Sequence, residues 1–375
     1  MNKIDYIKDF RDGKKIKAFA KLIEKELDRE INIMEVCGGH THTIMKYGLN
    51  QLLSPKINFI HGPGCPVCII PKERIDQAIA LVQDKKNILV TFGDMIRVPG
   101  SNSSLQYERA KGKNVKMIYA PFDVLRIAKE NPDKNVIYFA IGFETTTPMT
   151  AAILEKALNE NIKNIYFHIN HVMVPPPIKA IMDSGDAKID AFIGPSHVSV
   201  ITGTKIYQEI SDLYKTPVVI SGFEPVDVIE SVLWIVRQFK EGRAEVENQY
   251  KRAVSWEGNI KAQKLIFRYM EPRKTFRWRG IGDIPNSALK LKDEYAEFDA
   301  EVKFNDILPK NSNDDHKLCI CGSILKGLAK PFDCKVFGKS CTPKNPLGSC
   351  MVSSEGACAA YYKYGNLKIN KENAT

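Results

Sequence analysis

The sequence predicts an α/β protein: two doubly wound, Rossmann-like parallel-sheet units and a small cysteine-rich C-terminal domain. From residue 16 to about 255, short apolar runs alternate with amphipathic helical stretches, the pattern of parallel strands joined by crossover helices. After about residue 256 the alternation stops, and six of the nine cysteines then fall between Cys319 and Cys358. A chain of 375 residues also exceeds the roughly 250 to 300 at which a single core stops growing.

Eight runs read as strands: INIMEV (31–36), INFIHG (57–62), NILVTFG (87–93), VKMIYA (115–120), VIYFAIG (136–142), NIYFHIN (164–170), IDAFIGP (189–195) and PVVISGF (217–223). Eight strands are too many for one small sheet, so a division is expected near 119–123, where a strand runs into Ala120, Pro121 and Phe122. That gives a first α/β domain at 1–120, a second at 121–255 and a C-terminal domain at 256–375. Three runs end in Gly followed closely by an acid, at Gly93-Asp94, Gly142-Phe143-Glu144 and Gly222-Phe223-Glu224, a loose similarity between the two units. Residues 224–254 keep helical apolar spacing and are expected to lie back across the first unit. From 256 on, the turn-rich sequence suits short strands and loops, and the Gly, Pro and Lys between the last cysteines suit a domain held by a cofactor.

Composition excludes several classes. At 44% hydrophobic and 26% charged, the chain is ordinary and globular. It has no apolar run of about 18 residues and no signal-like N-terminus, so a soluble cytoplasmic protein without membrane contact is expected. There, nine cysteines read as metal ligands or catalytic thiols rather than a disulfide scaffold. The net charge of +10 comes from Lys and Arg interleaved with acids, which reads as a solvated surface and not a nucleic-acid footprint. The one local basic run is Arg273, Lys274, Arg277 and Arg279, set among Phe276 and Trp278.

Three constellations carry chemistry. Cys37-Gly-Gly-His40-Thr-His42-Thr directly follows a strand, where α/β sheets place ligands, and a helix is expected to begin near Thr41. A helix N-terminus lowers a thiol pKa and favours a metal-binding thiolate at Cys37, with His40 as the nearest imidazole. Cys65-Pro-Val-Cys68 follows the next strand. A C-x-x-C before a helix is the arrangement of thiol oxidoreductases, with the first sulfur more exposed and acidic; without a second C-x-x-C, half a zinc site is the weaker reading.

The third pattern, C-x-C-x12-C-x6-C-x8-C-x7-C over Cys319, Cys321, Cys334, Cys341, Cys350 and Cys358, lacks a zinc-knuckle spacing. A four-iron cluster takes four thiolates at more varied spacing, making this an iron-sulfur domain with two thiols left for exchange; spacing alone does not select the four. Weaker signals end later strands: Glu144 and the Thr145-Thr146-Thr147 run, His171, and Ser196-His197. No G-x-x-x-x-G-K-[ST] loop occurs, so any nucleotide site, and ATP hydrolysis with it, would be unconventional.

Taken together, CGGHTHT (37–43), GPGCPVCIIP (62–71), GFETTTP (142–148), GPSHVS (194–199), WRGIGDIP (278–285) and the C-terminal cysteine motifs closely resemble the HypD family of hydrogenase maturation factors, through nearly the full chain. The resemblance implies a scaffold that, in a stable complex with the small partner HypC, builds the Fe(CN)2CO centre of nickel-iron hydrogenases, with HypE as transient cyanide donor. It implies that Cys37 holds the nascent iron jointly with a HypC cysteine, with His40 beside it, and that Cys65 and Cys68 are a redox-active pair. It further implies a [4Fe-4S] cluster on Cys319, Cys334, Cys341 and Cys358 and a nearby disulfide between Cys321 and Cys350, similar to ferredoxin:thioredoxin reductase. The rival reading is a stand-alone iron-sulfur disulfide reductase, which leaves Cys37 and His40 without a role.

Overall fold

The computed structural model describes residues 5, 7–310 and 315–366. All eight expected strands form: β1 (Ile31–Glu35), β2 (Ile57–His61), β3 (Asn87–Phe92), β4 (Val115–Ile118), β5 (Asn135–Gly142), β6 (Ile165–His171), β7 (Ala191–Pro195) and β8 (Val218–Ser221). Their Val- and Ile-rich runs are buried almost end to end, as parallel strands covered on both faces require. Pairing sorts them into two all-parallel sheets, the first in the order β2-β1-β7-β8 and the second β4-β3-β5-β6.

This pairing corrects the division expected near 119–123. That point falls between β4 and β5, which both pair with β3 inside the second sheet. Conversely β7 and β8, assigned by sequence order to the second unit, join β1 in the first sheet. The chain leaves the first sheet after β2, builds the whole second sheet, and returns. Pairing follows which strand edges close over a shared core, and sequence order constrains it only loosely. In each sheet the order reverses at one pair, β1/β7 and β3/β5, and the crevice beyond such strand ends is where doubly wound sheets bind ligands.

The helix expected over 224–254 is shorter. It spans Pro225–Lys240, with Pro225 at its first turn and a Glu224/Asp227 capping box, and Gly242 (φ +66°) ends it. Residues Val246–Asn248 then form a ninth strand, β9, at the edge of the first sheet. The helix does pack on the first sheet, alongside the helix Gly13–Glu26, burying Val228, Val232 and Ile235 with Ile23 and Ile33.

Beyond 256, the helix Ile260–Tyr269 packs on the helix Thr147–Asn159 of the second sheet. The expected short strands follow as two antiparallel pairs, Met270–Pro272 with Leu289–Leu291 and Thr275–Trp278 with Gly282–Pro285. The basic run is largely tied inward: Arg273 joins Arg74 on Glu301, and Arg279 is held by Asp315 at 2.6 Å. Residues 315–366 sit against the first sheet through short helices, among them Cys321–Leu325 and Ala357–Tyr364, and their cysteines share one apolar cluster with Cys65 and Cys68. Among the described residues no helix is long and apolar enough to cross a membrane.

Candidate functional site: a cysteine-floored cleft between two sheets

Cys37 directly follows β1 and caps the helix Gly38–Lys46, two turns of chain that interlock with the end of β2. The Gly38 N–H donates to the Gly64 carbonyl at 3.1 Å. A Cβ on Gly64 would lie 2.3 Å from the Cys37 nitrogen, so only glycine lets the two motifs close on each other. Gly38 likewise makes room for Glu355 of the C-terminal segment, whose Cβ lies 2.4 Å from where an alanine methyl would sit.

Above this double turn opens a cleft of about 960 Å³ between the two sheets. Its floor is Cys37, Gly39, Gly64 and Glu355; His42, Lys46, His197 and Phe223 line the first-sheet side; Phe92, Asp94, Phe143 and Thr146 line the other. Apart from Glu355 of the C-terminal segment, these groups come from the ends of β1, β2, β3, β5, β7 and β8 or the helix that follows β1, as the switch-point rule requires. Cys65 and Cys68 do not line the cleft. They lie beneath it, 3% and 1% exposed, which corrects the expectation that the first sulfur of the pair is the open one.

The environment of Cys37 also departs from expectation. The Gly39 N–H does stabilise its thiolate, but burial and the nearby carboxylates of Glu355 and Glu35 outweigh it and push the thiol well up. The balance at Cys37 thus favours the protonated thiol. His40 is fully buried behind it. Its Nε2–H faces the Ser221 and Gly222 carbonyls at 3.1 Å each, its ring tilts on Phe223 at 4.6 Å, and burial lowers its pKa to about 4. Held so, His40 fastens the β8 end to the Cys37 turn, and its Nδ1 has no partner among the described residues.

Six of the eight remaining thiols form a continuous run. Cys65 contacts Cys68, which hydrogen-bonds Cys350; Cys350 in turn bonds Cys321, and Cys321 touches both Cys358 and Cys319, the latter at 3.3 Å. Hydrogen bonds from Cys321 and Cys68 hold the Cys350 thiol below its ordinary value, while burial and its neighbours raise Cys68. Ser349 ties the two ends together by donating to the Cys68 carbonyl.

Several features of the C-terminal cysteines suit a cluster. A Cβ on Gly348 would lie 2.6 Å from the Cys319 sulfur and 2.8 Å from that of Cys321, a cradle no larger residue could occupy. Cys341 accepts the Leu347 N–H at 3.4 Å, the kind of contact that tunes cluster thiolates. Cys334 is the outlier, its thiol facing the Leu318 carbonyl at 3.7 Å beside Cys319. Among the described residues no three His, Cys, Asp or Glu side chains already stand in metal-holding geometry.

The weaker candidates separate. Glu144 is buried near the cleft wall, one oxygen accepting the Val174 N–H at 3.0 Å, and burial raises its pKa to about 7. His171 is internal, donating to the Gly142 carbonyl at 3.4 Å and accepting from Thr150 at 2.8 Å. His42 and His197 stand at the cleft, edge-on to Tyr364 and Phe223. Sequence reasoning missed Glu35, His61 and Glu355; the one available signal was that His61 opens the Gly62-Pro-Gly-Cys65 motif, with nothing to show which groups it meets.

The profile of the HypD family, described as the hydrogenase formation hypA family, matches residues 14–365. The hydrogenase maturation factor HypD of Azotobacter vinelandii is 50% identical over 368 residues, covering 96% of this chain and 97% of its own. That of Rhizobium leguminosarum bv. viciae is 49% identical over 372 residues (97% and 96%), and that of Escherichia coli K12 is 43% identical over 337 residues (90% of each). With the cleft and its cysteine motifs placed as above, the chain belongs to the HypD family.

Proposed function

We propose that this chain acts in [NiFe]-hydrogenase maturation as the scaffold on which, in complex with HypC, the Fe(CN)2CO centre is assembled, with HypE delivering cyanide. The observation that carries the proposal is the placement of one isolated thiol, Cys37, on the floor of an open cleft directly above a connected run of thiols. Iron as cargo is held by the soft Cys37 sulfur, which gives up its proton on binding; strong-field cyanide and carbon monoxide then favour low-spin ferrous iron. The partner's cysteine completes the site from the open side. A stand-alone disulfide reductase would use the same thiol run but gives the cleft and Cys37 no task.

Cys319, Cys334, Cys341 and Cys358 are the residues to hold a [4Fe-4S] cluster, which would supply electrons one at a time to the thiols beside it. The protein's own step is thiol-disulfide exchange. The Cys350 thiolate attacks a Cys65–Cys68 disulfide at Cys68, releasing the Cys65 thiolate, which takes up a proton. Cys321 then attacks Cys350, giving the Cys321–Cys350 disulfide and freeing the Cys68 thiolate, which takes the Cys321 proton; with the proton that Cys350 released on ionising going to Cys65, two electrons and two protons pass to the pair under the cleft. The deciding experiment is infrared spectroscopy of the anaerobically purified HypC complex. Bands of iron-bound cyanide and carbon monoxide are expected; a complex with full cysteine content and iron but no such bands would favour the reductase reading.

A further inference from the structure

A second line of buried groups reaches Cys37, separate from the sulfurs. Glu35, wholly buried at the end of β1, accepts the Cys37 backbone N–H at 3.3 Å through one carboxylate oxygen. Its other oxygen accepts the Thr41 hydroxyl, on the helix that Cys37 caps, and the His61 Nδ1–H at 2.5 Å. His61, 3% exposed at the end of β2, meets the Tyr361 hydroxyl through Nε2 at 3.2 Å, and the Tyr361 ring stands edge-on to it at 5.3 Å. Tyr361 is on the helix Ala357–Tyr364, three residues after Cys358, so the two lie on one helix face. Each group is used fully: Tyr361 O–H to Nε2, Nδ1–H to Glu35, and two further donors onto Glu35.

We propose that Glu35, His61 and Tyr361 are positioning residues that fix the Cys37 turn and couple it to the helix carrying Cys358. Both Glu35 oxygens are taken up as acceptors, so they hold the donors of the Cys37 turn and of Thr41 in one orientation; His61 in turn holds Glu35, and Tyr361 holds His61. The cleft thiol is thereby aimed only when the C-terminal helix is docked against the helix Gly38–Lys46, where Met45 meets Ala360 and Tyr361, and reaches His61 at the end of β2, the strand that also receives Lys330 at the Phe59 carbonyl. This deepens the maturation reading, in which Cys37 anchors iron, by supplying a coupling that does not run through sulfur.

The test uses the full-length chain without iron or partner, so it stands apart from the maturation reading. Amide hydrogen exchange of residues 37–41 is measured in Glu35→Gln and Tyr361→Phe. Loss of one hydrogen bond should speed exchange there about tenfold in Glu35→Gln and roughly threefold in Tyr361→Phe, with exchange in β5 and β6 unchanged. Tyr361→Phe keeps the ring and removes only the hydroxyl, so a packing role alone leaves exchange at 37–41 at the wild-type rate, and that result overturns the proposal. Thr41→Ser, which keeps a hydroxyl, should stay near wild type, whereas Thr41→Val should match Glu35→Gln; equal behaviour of the two Thr41 variants also overturns it. In the HypC complex, Tyr361→Phe should shift the cyanide and carbon monoxide bands while keeping the C-terminal chromophore.

Discussion

At residue scale the cleft thiol and the glycine beside it invite different tests. Cys37→Ser replaces the soft sulfur by a harder, far less acidic hydroxyl that ferrous iron with strong-field ligands should not accept. The expected outcome is a folded protein with an intact C-terminal chromophore and no cyanide or carbon monoxide bands in the HypC complex. Gly64→Ala acts through packing. Its methyl would press on the Cys37 backbone, which cannot move aside, so a loss of about 1–3 kcal/mol in denaturant unfolding is expected. Gly13→Ala, with no atom within 4 Å of the new methyl, should be neutral.

Glu144 gives the residue scale a pH dependence. Burial raises its carboxyl from 4.5 to about 7. The folded protein therefore holds this proton more tightly than the unfolded chain. Its contribution to stability is complete below pH 4.5 and is lost as pH rises through about 7. From that shift the loss amounts to roughly 3 kcal/mol. Glu144→Gln removes the titration, so its stability relative to wild type should grow from pH 4.5 upward and level off above about pH 7 in urea titrations. A constant difference across that range would show that Glu144 is hydrated in the folded state.

At the scale of elements, the three-residue turn Ser349–Met351 sits where two cysteine groups meet, the Cys350 thiol hydrogen-bonded to Cys321 on one side and to Cys68 on the other. Cys350→Ala should preserve the brown chromophore and fold while blocking reduction of the Cys65–Cys68 pair, read by alkylation and mass spectrometry after chemical reduction of the cluster. Under the proposed ligand set, Cys341→Ala removes a cluster thiolate instead. It should abolish the chromophore and loosen residues 315–366, because a bound metal group contributes folding energy to the segment that holds it. Full chromophore in Cys341→Ala would reassign the ligands, and Cys321, which touches both Cys319 and Cys358, is the first replacement to consider.

For the whole molecule, the alternation of apolar runs and helical stretches determined the strands, because β-branched runs of that length are stable only when buried on both faces. The sequence also located the cysteine motifs at strand ends, since glycines directly after a strand permit the tight turns that bring backbone to a ligand. It could not assign β7 and β8 to the first sheet: pairing partners are chosen by edges that meet only after the chain has folded, more than a hundred residues later. For the same reason it misjudged the thiols. A helix N-terminus alone argues for an acidic Cys37, yet Glu355, over three hundred residues away, and burial reverse the balance. His61 meets Tyr361 across a separation of 300 residues, and Cys68 meets Cys350 across nearly as many. Local pattern determines which residues can do chemistry. Which of them share a buried, low-dielectric space, and so how each one titrates and which neighbour it serves, is decided only by the tertiary fold.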